Sequence, residues 1–336
     1  MHALCLSLLG GLLAGFFVLP AQAADPRLES ASCRRVDTGP GPHSLLVLPD
    51  GRRVLVSSHE RRRFAGAGEI YAYEPATGRM QVLPRRGEPA GLVLRPHHMA
   101  LRRHDGEDLL HLINHDDDNA NGRRHSILIY AVEADGLRFR RQLADPLLSS
   151  PNHLAIAPDG DIYVSNDRRD GSSVLELALR LSRATLVHYR EGRGWQLAAE
   201  GLSFPNGVQA EAGRVLVSQT FGGNVLAFAR AADGSLGPAR ELWRQPLLDG
   251  LKPGPEPGSY LTIAHDSLTD FLRHKGKGSH RSPATVWQVD GAGAARPFFR
   301  EDGRRISGLS AVVFAGDRVL FGQSFEPWLL QCPWRG

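Results

Sequence analysis

The 336 residues contain no Gly-x-Ser-x-Gly elbow, no glycine-rich phosphate cradle and no zinc-protease helix motif. Those absences exclude an α/β-hydrolase serine, a P-loop and a zincin as the source of any chemistry. Cysteine is scarce, with three residues, and Cys5 falls in the N-terminal leader described below. Only Cys33 and Cys332 remain in the body of the chain, and pairing them removes the free-thiol route as well. Aromatic residues make up 7% of the chain and the formal charge is +4. The arginines cluster at Arg61-Arg62-Arg63 and Arg138-Phe139-Arg140-Arg141. These clusters are short and far apart, lie on no helical stripe, and have one ring apiece beside them. They read as solvated turns and strand faces, so nucleic acid is not implied.

Apolar runs of membrane length are missing too. Leu8–Pro20 is too short for a comfortable span, and Ala21-Gln22-Ala23 supplies the small-x-small pattern that a signal peptidase cleaves after. Residues 1–23 are therefore expected to be a signal peptide and 24–336 a single domain, periplasmic or secreted, with no stable membrane insertion once the leader is removed. In an oxidising compartment Cys33 and Cys332 are expected to bond to each other. A crosslink over nearly the whole chain removes unfolded-state entropy worth about 5 kcal/mol as an upper figure.

What is present is a repeat: an apolar run, a tight turn, and a second apolar run ending in small polar residues. It reads SLLVLPDGRRVLVSS at Ser44–Ser58, HLAIAPDGDIYVSND at His153–Asp167, GVQAEAGRVLVSQT at Gly207–Thr220 and SAVVFAGDRVLFGQS at Ser310–Ser324. Each copy is a hairpin, and most are followed by a second, more amphipathic hairpin such as the one from Gly68. Two hairpins make a four-stranded blade. Units of roughly 45 to 55 residues, about six in number, predict an all-β, six-bladed β-propeller closed by pairing of its first and last strands. The disulfide would lock that seam.

In a propeller the residues just before each innermost strand converge at one mouth of the central channel. They are His43, His97 and His98, Asn152, Asn206, a residue within Glu256–Tyr260, and Leu309-Ser310. Asn before an apolar strand caps a turn or points its carbonyl at a hard cation, and its recurrence in successive blades favours a shared ligand role.

At these residues the sequence resembles the serum paraoxonase and arylesterase family, with its bacterial relatives and the more distant gluconolactonase and strictosidine-synthase-like propellers. The resemblance rests on Pro96-His97-His98, Ile113-Asn114-His115, Pro151-Asn152-His153, Tyr163-x-x-Asn166-Asp167 and Phe204-Pro205-Asn206-Gly207, in that order, and on the two terminal cysteines. It implies a calcium ion at the mouth, polarising the carbonyl of a small ester or lactone, with His97 as the base and His115 its partner. By motif, Asn152, Asn206 and His43 would be the metal ligands.

The departures are specific. His43 and Ser44 stand where the family has a Glu-Asp pair, and His153 stands where it has a calcium-binding Asp. The fifth-blade Asp-Asn pair and its strand are expected to be missing, leaving that blade truncated. A ring so depleted of carboxylate should hold calcium poorly; Glu256 as a substitute ligand, or zinc on His43 and His97, are the alternatives. Asp117-x-Asn119-x-Asn121-Gly122 copies half of a calcium loop but has Leu128 where the bidentate Glu belongs, so it reads as a solvated turn. The opposing expectation is a catalytically silent propeller that binds a ligand or a protein at the same mouth.

Overall fold

The structure, a computed structural model, describes residues 27–64, 66–118, 122–169 and 178–335. The expected signal peptide lies outside the described residues. Among the described residues no helix is long and apolar enough to cross a membrane.

Six antiparallel sheets are arranged as blades. The first blade is Pro42–Val47, Val54–Ser58, Glu69–Glu74 and Arg79–Val82. The second is Pro96–His104, Glu107–Asp118, Gly122–Val132 and Leu137–Ala144, with the short strand Arg85–Arg86 added in parallel at its outer edge. The third is Pro151–Ile156, Ile162–Asn166, Ala184–Arg190 and Gly194–Leu202. The fourth is Pro205–Ala210, Arg214–Gln219, Asn224–Arg230 and Leu236–Arg244. The fifth is Leu248–Pro253, Tyr260–His265, Ala284–Val289 and Ala295–Glu301. The sixth joins Leu309–Ala315, Arg318–Gln323 and Trp328–Pro333 to Arg34–Asp37 from the start of the chain. Each innermost strand packs beside the next, and Leu309–Ala315 returns to Pro42–Val47, so the ring is closed.

The fifth blade is thus complete, which corrects the expected truncation. Its inner strand, Leu248–Pro253, reads LDGLKP and pairs Leu248 with Ala264. Asp249 and Lys252 line the channel, so the strand lacks the apolar pattern that marks its five counterparts.

The apolar core is divided into wedges, one between each pair of neighbouring blades. Leu55, Ile70, Met99, Leu112 and Tyr130, for example, fill the space between the first and second. Ile263, Val286, Phe299, Leu309 and Phe321 fill that between the fifth and sixth, where Cys33 and Cys332 join the cluster. Those cysteines form the expected disulfide, which ties the residue just before Arg34–Asp37 to the strand it pairs with.

The serine one residue before the end of the second strand has a defined task in three of the blades. Every inner strand carries a register break two or three residues from its start, and such a bulge strips backbone groups of their ladder partners. Ser57 accepts the Ser44 N–H at 3.1 Å and donates to the His97 carbonyl of the next blade at 2.7 Å. Ser165 does the same with His153 N–H and the Asn206 carbonyl, and Ser218 with Gly207 N–H and the Gly250 carbonyl. A second set of side chains takes the N–H beyond the bulge in the following blade: Ser44 Oγ accepts from Met99, His98 Nδ1 from Leu154 and His153 Nδ1 from Val208. Gly207 occupies the same register, and a Cβ there would collide with the Gly250–Leu251 peptide.

Candidate functional site

The second residue of each inner strand faces one mouth of the channel: His43, His97, Asn152, Asn206, Asp249 and Ser310. Five of these positions agree with the sequence expectation, and the fifth-blade position is Asp249. Glu256 lies instead in the turn after that strand, bonded to Arg27 at 2.5 Å and Arg296 at 3.0 Å, well away from the ring of inner-strand residues. It is not a substitute ligand.

The second and third strands of the second blade are long and carry His115 and His125 to the mouth as a cross-strand pair. The register continues through Asp116, Asp117 and Asp118, so the half-copied calcium loop begins as hairpin strand. Its residues Asn119 and Asn121 lie outside the described residues. His97 packs on His115 with ring centroids 4.6 Å apart and stacks on His43 at 4.2 Å. The resemblance and the geometry therefore bring the same His pair together. His115 Nε2 lies 2.7 Å from the Pro151 carbonyl. A carbonyl only accepts, so Nε2 carries the hydrogen and Nδ1 keeps a lone pair. Burial, followed by neighbouring imidazoles and Arg61, holds His43, His97 and His115 well below the ordinary histidine value. All three are neutral bases at physiological pH.

Deeper in the channel His98 stacks on His153 with centroids 3.3 Å apart. Lys252 reaches His98 Nε2 at 2.6 Å. Burial again lowers both imidazoles, and it lowers Lys252 to about 8.

Sequence reasoning missed Arg61. Read as part of a solvated arginine cluster, it is in fact buried, with a fractional exposure of 5%. Its Nη2 donates to the Pro96 carbonyl at 2.6 Å and its Nε has no partner. Arg62 beside it pairs with Glu326, which also meets His274 Nε2 at 2.9 Å. His274 belongs to the helix Leu268–Gly276, which leaves the fifth blade capped by Ser267 and contacts Arg62 of the first blade and Phe325 and Glu326 of the sixth. The Arg138, Arg140 and Arg141 cluster is the solvated strand face expected, paired with Glu133, Glu107 and Glu191.

A calcium ion needs six to eight oxygen ligands, several of them carboxylate. Asn206 Oδ1 is occupied by the Gly250 N–H at 3.1 Å, and Asn152 donates its amide to Asp167 at 3.2 Å. Asp249, the carboxylate of the ring, faces His265 Nε2 at 3.4 Å. His43 offers nitrogen, and Arg61 adds a positive charge. Among the described residues no group of three or more His, Cys, Asp or Glu could hold a metal ion. These side chains do not fit calcium, and no step below is routed through it.

The fold is a closed six-bladed β-propeller. The chain belongs to the arylesterase family, whose model matches residues 67–332. It is 25% identical over 243 residues to Mechanosensory abnormality protein 6 of Caenorhabditis elegans, covering 68% of this chain and 62% of that relative's length. In fold it is similar to a gluconolactonase from Xanthomonas campestris, with 18% identity, 94% of this chain and 96% of that one covered, and a TM-score of 0.55. A luciferin-regenerating enzyme superposes with a TM-score of 0.56 at 10% identity, over 88% of this chain and 92% of its own. A PQQ-bound aldose sugar dehydrogenase from Streptomyces coelicolor does so with 0.56 at 17% identity, over 89% and 96%.

Proposed function

We propose that this chain is an exported hydrolase of the arylesterase or lactonase type, acting on a small ester or lactone at the channel mouth. The observation that carries the reading is the packing of His97 on His115 at the mouth. His97 removes a proton from the attacking water, and His115, its ring fixed by the Pro151 carbonyl, orients the pair. Because both rings are neutral, the base form persists well below pH 6.5. Export is supported by the disulfide, which belongs to oxidising compartments, and agrees with the leader expected at residues 1–23.

The test is a screen of the purified chain against aryl acetates and simple lactones. His97→Ala should remove most turnover while leaving the thermal midpoint nearly unchanged; unchanged turnover sinks the assigned base. The second reading, a catalytically silent binding propeller, is favoured by imidazoles at positions 43 and 153 where the family resemblance expects carboxylates. A folded chain inert toward the whole screen would favour that reading.

A further inference from the structure

We propose that the channel mouth is a binding site for a small carboxylate, with Arg61 as the group that recognises it. Buried charges in proteins are paired or hydrogen-bonded, because removing an ion from water costs several kcal/mol. Arg61 meets that rule only in part. Its guanidinium has five N–H donors, yet among the described residues its one hydrogen bond is to the Pro96 carbonyl, and no carboxylate lies within ion-pair distance. The adjacent Glu60 turns its carboxylate to the Arg62 amide at 2.8 Å, and Glu326 is taken by Arg62 and His274. The groups that feel Arg61 are imidazoles: His43, His59, His97 and His115. Among the described residues the mouth therefore presents a guanidinium with no ion-pair partner of its own.

The rim of the mouth keeps partial contact with solvent. His43, His115 and Asn152 are half-buried, whereas His97 and Arg61 behind them are buried. An anion entering past His43 and His115 meets unused guanidinium N–H groups whose fork matches a carboxylate in geometry as well as in charge. The inference concerns binding and stands whether or not the site turns over an ester. Joined to the hydrolase reading, it names the ligand class: substrates bearing a carboxylate, or the carboxylate product held after hydrolysis.

The experiment titrates the disulfide-intact chain with sodium benzoate at constant ionic strength, using benzamide as the neutral isostere, and follows the thermal midpoint and the heat of binding. The expected result is saturable benzoate binding, with benzamide roughly ten- to a hundredfold weaker, the worth of a charge-assisted hydrogen bond. Arg61→Gln should abolish the difference between the two probes and Arg61→Lys should keep part of it. Arg304→Gln, in the separate arginine-lined hollow beside the helix, should leave it intact. Equal responses to benzoate and benzamide in the unaltered chain overturn the proposal without any variant. So does a benzoate response that survives Arg61→Gln, because the anion then sits elsewhere. A purely structural role for Arg61 predicts a lowered midpoint in Arg61→Gln with the benzoate increment unchanged, which also refutes it.

Discussion

Lys252 crosses the channel from the fifth blade to the second and sets its Nζ 2.6 Å from Nε2 of His98. His98 Nδ1 already accepts the Leu154 N–H, so in the neutral ring Nε2 must carry the hydrogen. With that tautomer the lysine nitrogen is the acceptor, an arrangement that belongs to the free amine present above about pH 8.

That relationship predicts a titration. Burial pushes Lys252 down to about 8 from its ordinary 10.5. Between those values the unfolded chain holds a proton that the folded chain has released, so stability rises with pH across that window. The slope approaches about 1.4 kcal/mol per pH unit. Urea midpoints at pH 8 and pH 10 should differ more in the unaltered protein than in Lys252→Met; identical differences would show an ordinary lysine.

Acid should act in the opposite window. His43, His97, His98, His115 and His153 are all lowered by burial. Each stays neutral in the fold while the unfolded chain protonates below pH 6.5, so stability is full above that value and lost as pH falls through it. Unfolding near pH 5.5 should take up more than one proton, read from the pH dependence of the urea midpoint. An uptake of one or none would mean that the cluster is hydrated and titrates normally.

The seryl staples should matter more than their size suggests. Ser165→Ala leaves the His153 N–H and the Asn206 carbonyl buried without their partner, a loss of about 1–3 kcal/mol. It should shift the urea midpoint without changing the slope of the transition. Gly207→Ala forces apart the peptide planes of the fourth and fifth blades and should cost more than Ser165→Ala. A milder Gly207→Ala would show that this seam yields.

Calcium should leave the thermal midpoint where it is. Asn206 Oδ1 and Asp249 are already engaged and Arg61 repels a cation. A saturable rise on titration would show that the mouth rearranges to make a site.

The propeller was legible because its inner hairpins are paired apolar runs around turn signals, buried between neighbouring blades, with more amphipathic hairpins outside them. The apolar runs that follow His43, His97, Asn152 and Asn206 marked the inner strands, and in the structure a proline just before each of these residues opens the strand. The fifth blade was misread for the same physical reason. Leu248–Pro253 presents Asp249, Gly250 and Lys252 to a polar channel or to a close neighbour, so its pattern is that of a turn. Arg61 was hidden by its company: three arginines in a row describe a solvated face, and nothing local reveals that the first is turned inward against the Pro96 carbonyl. Burial of a charge is decided by what the remaining blades put around it.

The Cys33–Cys332 bond makes the covalent path through the molecule a circle rather than a line. A single protease cut in any loop between two blades opens that circle without dividing it, so the nicked chain still migrates as one piece until a reductant is added. By the same logic the seam is one of six comparable joints, and new termini placed at another of them, with the old ends already bridged, should enclose the same channel.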